Sequence, residues 1–270
     1  MDSDLGAAVR ASSLGELAWV DPDGSPAAMP VIALARGSRP VVALTADRAD
    51  LARRVQRARQ VALVLRDPRG TGRSFAPLAL CGAVTLQVDA EGEVFRAELL
   101  EQELRRYPPS RMLADSPLLC REHWWYLPRL VLEVTDPVVL PAPAPRESEA
   151  DHLLVTVRDG IPVVTTVRTA EAVTDPTSDP LPLVRTGGAP TAPGPALLLA
   201  QDASVPDLER WEAWSWEGTV GAEASDGALS LTVSRAPEAT GLPATASLLQ
   251  RWRAQRAFER GCRAGIATLS

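Results

Sequence analysis

Few residues in this chain have the chemistry of a catalyst. The soft donors are two histidines, His123 and His152, and three cysteines, Cys81, Cys120 and Cys262. Cys120-x-x-His123 has the spacing of two metal ligands, but no second pair accompanies it, so no metal site is expected. A Ser-His-Asp triad must use one of the two histidines, and no Gly-x-Ser-x-Gly elbow occurs with them, which disfavours hydrolysis. Glu101 and Glu103 stand two apart on a predicted helix and do not face each other, so no acid–base pair can be nominated. All 28 basic residues are arginine. Without lysine, Schiff-base chemistry and the lysine of a phosphate-binding loop are excluded. Any anionic cofactor must be held by arginine, hydroxyls or backbone N–H groups.

The bulk composition narrows the class further. The chain has 270 residues, a net charge of −6, and 46% apolar and 23% charged residues. That length suits two domains at ~150 residues each. A net-negative chain is not expected to bind nucleic acid, because neutralising phosphates needs a basic surface. No apolar run approaches the ~18 residues of a membrane span, so no membrane partner is expected. The start, Met1-Asp2-Ser3-Asp4-Leu5, lacks a positive n-region, and a cytoplasmic location is expected. Three well-separated cysteines do not make a disulfide framework.

The elements that would position a site alternate between strands and helices. Leu17–Val20 is a short apolar run, followed by turn chemistry in Asp21-Pro22-Asp23-Gly24-Ser25-Pro26. Ala27–Ala35 and Pro40–Thr45 read as strands joined at Gly37-Ser38. Asp50–Arg59 reads as a helix, with Leu51, Val55 and Ala58 at spacings of four and three and arginines on its other faces. Val61–Leu65 is a buried-type strand. Leu78–Val88 is another strand, with a bulge expected at Gly82. Glu93–Tyr107 reads as a helix stopped by Pro108-Pro109, and Trp124–Val134 as the closing strand.

The proline-alternating stretch Pro141–Glu149 reads as an extended linker, and the domain boundary belongs there. It separates a domain over 1–140 from one over 151–270, with 141–150 between them. The second half reads as a worn copy of the first. Asp23-Gly24-Ser25-Pro26 is matched by Asp159-Gly160-Ile161-Pro162. Ala62–Leu65 is matched by Ala196–Leu199, and Gly82-Ala83-Val84 by Gly218-Thr219-Val220. Where the first copy has its arginine-rich helix, the second has Asp175–Pro180 and Gly187–Gly194, too rich in proline to form one.

The run from Leu17 to Arg66 resembles the FMN-binding split-barrel superfamily, the pyridoxamine 5'-phosphate oxidase-like proteins. The similarity lies in an ordered series of features. These are a short strand, an Asp-Gly-x-Pro turn, a strand with central Met29-Pro30-Val31, a strand ending in Thr45, a basic helix, and an apolar strand before Asp67-Pro68. Trp125-Tyr126-Leu127-Pro128-Arg129-Leu130 is similar to the family's last strand, and the resemblance covers about residues 10–138. It implies a flavin at an interface between two barrels. The phosphate would lie at the end of the third strand and the start of the following helix, where unpaired N–H groups favour an anion. Carried onto this chain, the phosphate region is Thr45, Arg48, Arg53 and Arg54. The ring would run along Met29, Pro30 and Val31, with Trp124 or Trp125 covering an aromatic face. One departure stands at this helix: Asp50-Leu51 replaces the cation that many relatives carry.

The expected fold is therefore α+β and mainly β: tandem split β-barrel-like domains forming an internal pseudo-dimer, the second copy degenerate. The chain is expected to be a monomer on that basis, or else a homodimer. The leading functional expectation is an FMN oxidoreductase acting on a small molecule, with a deazaflavin as second cofactor and no catalytic side chain named. The alternative is a cofactor-free binding or structural protein. A haem role through His123 or His152 ranks third. Trp211, Trp214 and Trp216 are expected in core or interface packing. The arginine-rich segment Pro243–Gly265 reads as a helix docked by Leu248, Leu249, Trp252 and Phe258.

Overall fold

The computed structural model describes residues 2–12, 14–169 and 180–269, the first three of these by backbone alone. The first half contains α1 (Asp2–Ala11), β1 (Leu14–Val20), β2 (Pro26–Val31), β3 (Ala33–Arg36), β4 (Arg39–Thr45), α2 (Ala49–Gln56), β5 (Val61–Asp67) and β6 (Leu78–Asp89). It continues with α3 (Leu100–Arg106), α4 (Arg111–Ala114), α5 (Pro117–Glu122) and β7 (Arg129–Val139). The second half contains β8 (Asp151–Arg158), β9 (Ile161–Thr169), β10 (Leu181–Gly188), β11 (Gly194–Ala203), β12 (Trp211–Val220) and β13 (Ala228–Arg235), then α6 (Leu248–Ile266).

Two antiparallel sheets result. The first has the order β2-β1-β5-β6-β7-β4-β3, and the second is a closed barrel, β10-β13-β12-β11-β8-β9. Ile32 alone separates β2 from β3, so the two edges of the first sheet are halves of one bent run. With β2 and β3 counted as one strand, the six strands of each sheet follow the same order. Gly82 and Gly218 occupy the same place in it. Each stands at a register shift against the next strand, where a β-carbon would collide with the carbonyl of Thr135 or Thr232.

Several sequence expectations change in detail. The strand expected over Ala27–Ala35 breaks at Ile32, where the run bends from one edge of the sheet to the other. Trp124–Tyr126 forms a short 3-10 turn, and the closing strand begins only at Arg129, after Pro128. The match of Ala62–Leu65 to Ala196–Leu199 is one residue out. Val61 pairs with Gly82 and Ala196 with Gly218, and a one-residue slip turns each side chain to the other face. The connection 189–193 between β10 and β11 carries no helix, whereas α2 joins β4 to β5. Of the expected Pro-rich break, Asp175–Asp179 lies outside the described residues.

Alternation along the strands builds two interiors and a seam. In β5, Val61, Leu63 and Leu65 point into the apolar interior of the first sheet, with Leu17, Trp19 and Leu80. Ala62 and Val64 point the other way. They meet Ala18 and Ala79 on their own side and Leu153, Val155, Val164, Leu197 and Leu199 from the second sheet. This is why β5 is buried at every position: both of its faces are covered. Alanines on one sheet against leucines and valines on the other let the two surfaces close on each other.

The seam also carries charge. Glu16 and Arg66 are each about 1% exposed. Arg66 donates through Nε and Nη2 to the Glu16 carboxylate at 3.0 and 2.8 Å, and through Nη2 to the Asp151 carbonyl at 3.3 Å. Gln201 of β11 donates to Glu16 at 3.3 Å. Arg146, from the proline-rich connection, donates from its backbone to the Arg66 carbonyl and from its side chain to the Gln201 carbonyl. Its guanidinium also lies 3.5 Å from Asp67. Beside this cluster His152 is buried inside the second barrel against Trp216. Burial, together with Arg146 and Arg66, pushes its pKa down to about 3.

Arg66→Met strips Glu16 of its charge partner and is expected to cost about 3–5 kcal/mol in urea unfolding, with Glu16→Gln added to it recovering part of the loss. His152 gives a pH signature. Held neutral in the fold, it takes no proton between its ordinary value of 6.5 and about 3, while the unfolded chain does. Stability therefore falls as pH drops below 6.5, by about 1.4 kcal/mol per unit for one proton. Asp151, held down to about 2, titrates below that upper window. His152→Leu is expected to flatten the stability profile between roughly pH 6.5 and 4.5; an unchanged slope in chemical denaturation would refute the assignment.

Candidate functional site

At one end of the seam the sheets part to leave a cleft of ≈ 580 Å³, lined by Trp19, Met29 and Arg54 from the first half and Leu197, Glu217 and Arg235 from the second. The turn after β1 builds its floor. Asp21 receives its own turn's closure, with Asp21 N–H donating to the Ser25 carbonyl at 2.9 Å, and Gly24 takes φ 87°, where glycine pays no steric penalty. Trp19 Nε1 donates to Asp21 Oδ1 at 2.9 Å. Arg54, on α2, grips the same carboxylate with Nε at 2.9 Å and with Nη2. That hydrogen bond holds the Asp21 carboxyl below its ordinary range and raises Arg54. Asp23 is likewise lowered, by the side-chain and backbone donors of Ser25. On the far wall Arg235 stands 3.5 Å from Glu217. The cleft thus has three carboxylates against two guanidiniums, and both guanidiniums are paired.

The nine residues expected around a flavin do not come together. Met29 and Arg54 line the cleft. Val31 is buried in the first barrel's interior, on the same side of β2 as Met29, while Pro30 faces away from it. Thr45, Arg48 and Arg53 sit at another place, under the C-terminal end of α6. Trp124 and Trp125 lie away from the cleft. Trp125 is buried 5.5 Å from the Phe258 ring of α6, edge to face, and Trp124 is half exposed beneath the Arg263 guanidinium. Neither covers the seam, because they belong to a 3-10 turn on the outer side of β7 and not to a strand.

The expected phosphate seat, at the end of β4, is filled by the chain itself. Gly261 and Gly265 bring the α6 backbone against Ala46 and Asp47. A β-carbon on Gly265 would collide with the Ala46 carbonyl, and one on Gly261 would lie 3.2 Å from Asp47 Cβ. Cys262 and Phe258 fill the gap behind them, with Ile266 beside them. The donors of the seat are taken. Thr45 Oγ1 donates to Asp47 at 2.5 Å, and Arg53 donates to Asp50 at 3.2 Å and to the Thr268 carbonyl at 3.0 Å. Arg48 lies 3.8 Å from Asp47. Burial, with the Asp47 carboxylate beside it, pushes the Cys262 thiol up to about 12. The Thr268 carbonyl, just past the end of α6, thus takes one donor of the Arg53 guanidinium, as an anion would. A flavin phosphate does not fit these residues: its space holds a helix, and Asp47 and Asp50 already balance Arg48 and Arg53.

The two histidines lie apart from the cleft. His152 is buried with Trp216, and His123 Nδ1 contacts the Leu113 carbonyl at 3.1 Å. Among the described residues no group of three or more His, Cys, Asp or Glu side chains is placed to hold a metal ion. Nor is any helix long and apolar enough to cross a membrane.

No protein-family model matches the chain, and no curated protein matches it. Solved structures do. A haem-binding protein from Mycobacterium smegmatis is 13% identical, with 97% of this chain and 96% of that one covered, at a TM-score of 0.32. A pyridoxamine 5'-phosphate oxidase-related, FMN-binding protein from Nostoc punctiforme is 11% identical, with 79% and 95% covered, at 0.31. A NimC/NimA family protein from Clostridium acetobutylicum is 15% identical, with 48% and 78% covered, at 0.31.

Sequence reasoning missed Asp21, Asp47 and the Gly261/Gly265 pair. The signal for the last was present: two glycines four apart, with Phe258, Cys262 and Ile266 at the same helical period, mark a helix face that approaches a backbone closely. Gly265→Val forces that face away from Ala46. It is expected to lower stability by about 1–3 kcal/mol and to speed tryptic cleavage at Arg260 and Arg263, read by mass spectrometry of timed digests. Cleavage at the unmodified rate would show that α6 does not rest on this contact.

Proposed function

We propose that this chain is a cofactor-free binding protein on a split-barrel frame, with the seam cleft as the place for a small molecule that carries no phosphate. The observation that carries this reading is the Gly265 contact: the chain's own helix stands where the resemblance would put a flavin phosphate. Asp21 supports it by neutralising Arg54, the one α2 cation that reaches the cleft. What remains in the cleft is an indole, aliphatic side chains and an excess of one carboxylate. That suits an uncharged or cationic ligand with an apolar body.

The same reading takes the two sheets as tandem copies packed as an internal pseudo-dimer, with the boundary in 141–150. The shared strand order and the two bulged glycines support it. The seam would then occupy the face that a second chain would otherwise cover, and the protein would be a monomer. The second reading, an FMN or deazaflavin oxidoreductase, is favoured by one feature: Met29 and Arg54 do reach a cleft between two sheets. It requires α6 to vacate the seat at Ala46.

Titration of the full chain with FMN, and with a deazaflavin, followed by flavin fluorescence, separates the two. No saturable binding is expected below about 100 μM, a free energy weaker than roughly −5.5 kcal/mol. Micromolar FMN binding that weakens tenfold in Arg48→Ala or Arg53→Ala would overturn the proposal and restore the oxidoreductase.

A further inference from the structure

The helix α6 is docked along only half its length. Residues 244–257 are exposed at every position, and burial begins at Phe258. The projecting half is nevertheless a well-formed helix. Ser247 N–H donates to Gln250 Oε1 at 2.7 Å and Gln250 N–H to Ser247 Oγ at 3.3 Å, a reciprocal cap that needs no tertiary support. On it stand three large apolar side chains, Leu248, Leu249 and Trp252, exposed to 85, 55 and 56%. The sequence expectation that all three dock against the body is wrong, and Phe258 alone does so.

The outward face is also cationic. At 100° per residue, Arg253, Arg256, Arg260 and Arg263 fall on the side opposite Phe258 and Cys262 and form one stripe, which continues the line of Leu249 and Trp252. Trp252, Arg253, Arg256, Arg260 and Arg263 line one shallow hollow with Glu259. The indoles lie within the stripe, Arg256 being 5.7 Å from the Trp252 ring and Arg263 5.5 Å from that of Trp124. The helix carries five arginines and one glutamate in a chain whose net charge is −6.

We propose that this face of α6 docks on an anionic phospholipid bilayer. Leu248, Leu249 and Trp252 enter the headgroup boundary, and the arginine stripe lies along the lipid phosphates. Charge complementarity selects an anionic surface. The apolar residues select among anionic surfaces: a nucleic acid or an acidic peptide would pair the guanidiniums but leave two leucines in water, whereas a lipid interface takes both. Tryptophan favours that interface for the same reason. The acidic remainder of the chain orients the approach, since repulsion beyond a Debye length of ~8 Å is screened while the projecting helix stays within it.

Co-sedimentation of the full chain with vesicles tests this. Binding to vesicles of equal phosphatidylcholine and phosphatidylglycerol is expected to exceed binding to phosphatidylcholine alone by roughly tenfold or more, and to fall at ~0.5 M salt. The double variant Leu248→Asp/Leu249→Asp alters only exposed side chains, so its unfolding midpoint should stay that of the parent while vesicle binding drops at least tenfold. Arg253→Gln/Arg256→Gln should weaken binding while leaving the unfolding midpoint that of the parent. Three outcomes overturn the proposal: no sedimentation with anionic vesicles, equal sedimentation of the leucine variant, or single-stranded DNA binding as tight as vesicle binding and unaffected by the leucine changes.

Discussion

The buried contact between Glu16 and Arg66 sets the terms for the rest of the molecule. A paired carboxylate and guanidinium can sit in a seam between two sheets only if the remaining polar contacts near them are largely met. The chain meets most of them from three separate regions, Gln201 and the Asp151 carbonyl from the second sheet and Arg146 from the connection between the sheets, while Nη1 of Arg66 and Nη1 of Arg146 are left without a hydrogen bond. The surrounding alanine, valine and leucine surface would hold the sheets together in many registers. The charge pair accepts one. Its bonds to the Asp151 carbonyl and to Gln201 fasten β1 and β5 to β8 and β11.

Much of this frame is legible in the residues. The period-two alternation of β5, the Asp-Gly turns, the glycine at each bulge and the absence of a helix before β11 follow from local chemistry that tertiary context does not overrule. The register that aligns the two sheets was not legible to better than one residue, because an apolar run such as Ala196–Leu199 reads the same on either face. Only the pairing with Gly218 decides it. Trp124–Tyr126 failed as a strand for a related reason. Aromatic residues favour strands and buried turns alike, and Pro128 is what delays β7.

The candidate site was less legible than the fold. Thr45, Arg48, Arg53 and Arg54 have the residue types that bind phosphate, and the helix they flank is where it was expected. Asp47 and Asp50 engage them locally, and Asp21 from the β1–β2 turn and the C-terminal helix at Gly265 and Thr268 engage them from elsewhere in the chain. Residue type and local spacing report what a segment offers, not what a distant segment has already taken. The acids Asp47 and Asp50 were the local warning, and one of them, Asp50, was visible as a departure from the pattern.

The seating of α6 also sets an order of events during synthesis. Arg53 meets Thr268, and Asp47 meets Cys262, across 215 residues of chain. At ~5–20 residues per second a ribosome needs roughly 10–40 s to cover that distance. The strands of the first sheet all lie within residues 14–139 and are made well before then, although the second sheet that covers one face of β5 is not. From Val139 to Thr268, roughly 6–26 s at that rate, the mouth of β4 stands bare, with Asp47, Arg48 and Arg53 facing water and Trp125 and Tyr126 lacking Phe258. The nascent chain thus passes through a form that the finished protein does not show, and any ligand or chaperone that prefers an open first barrel has that interval in which to find it.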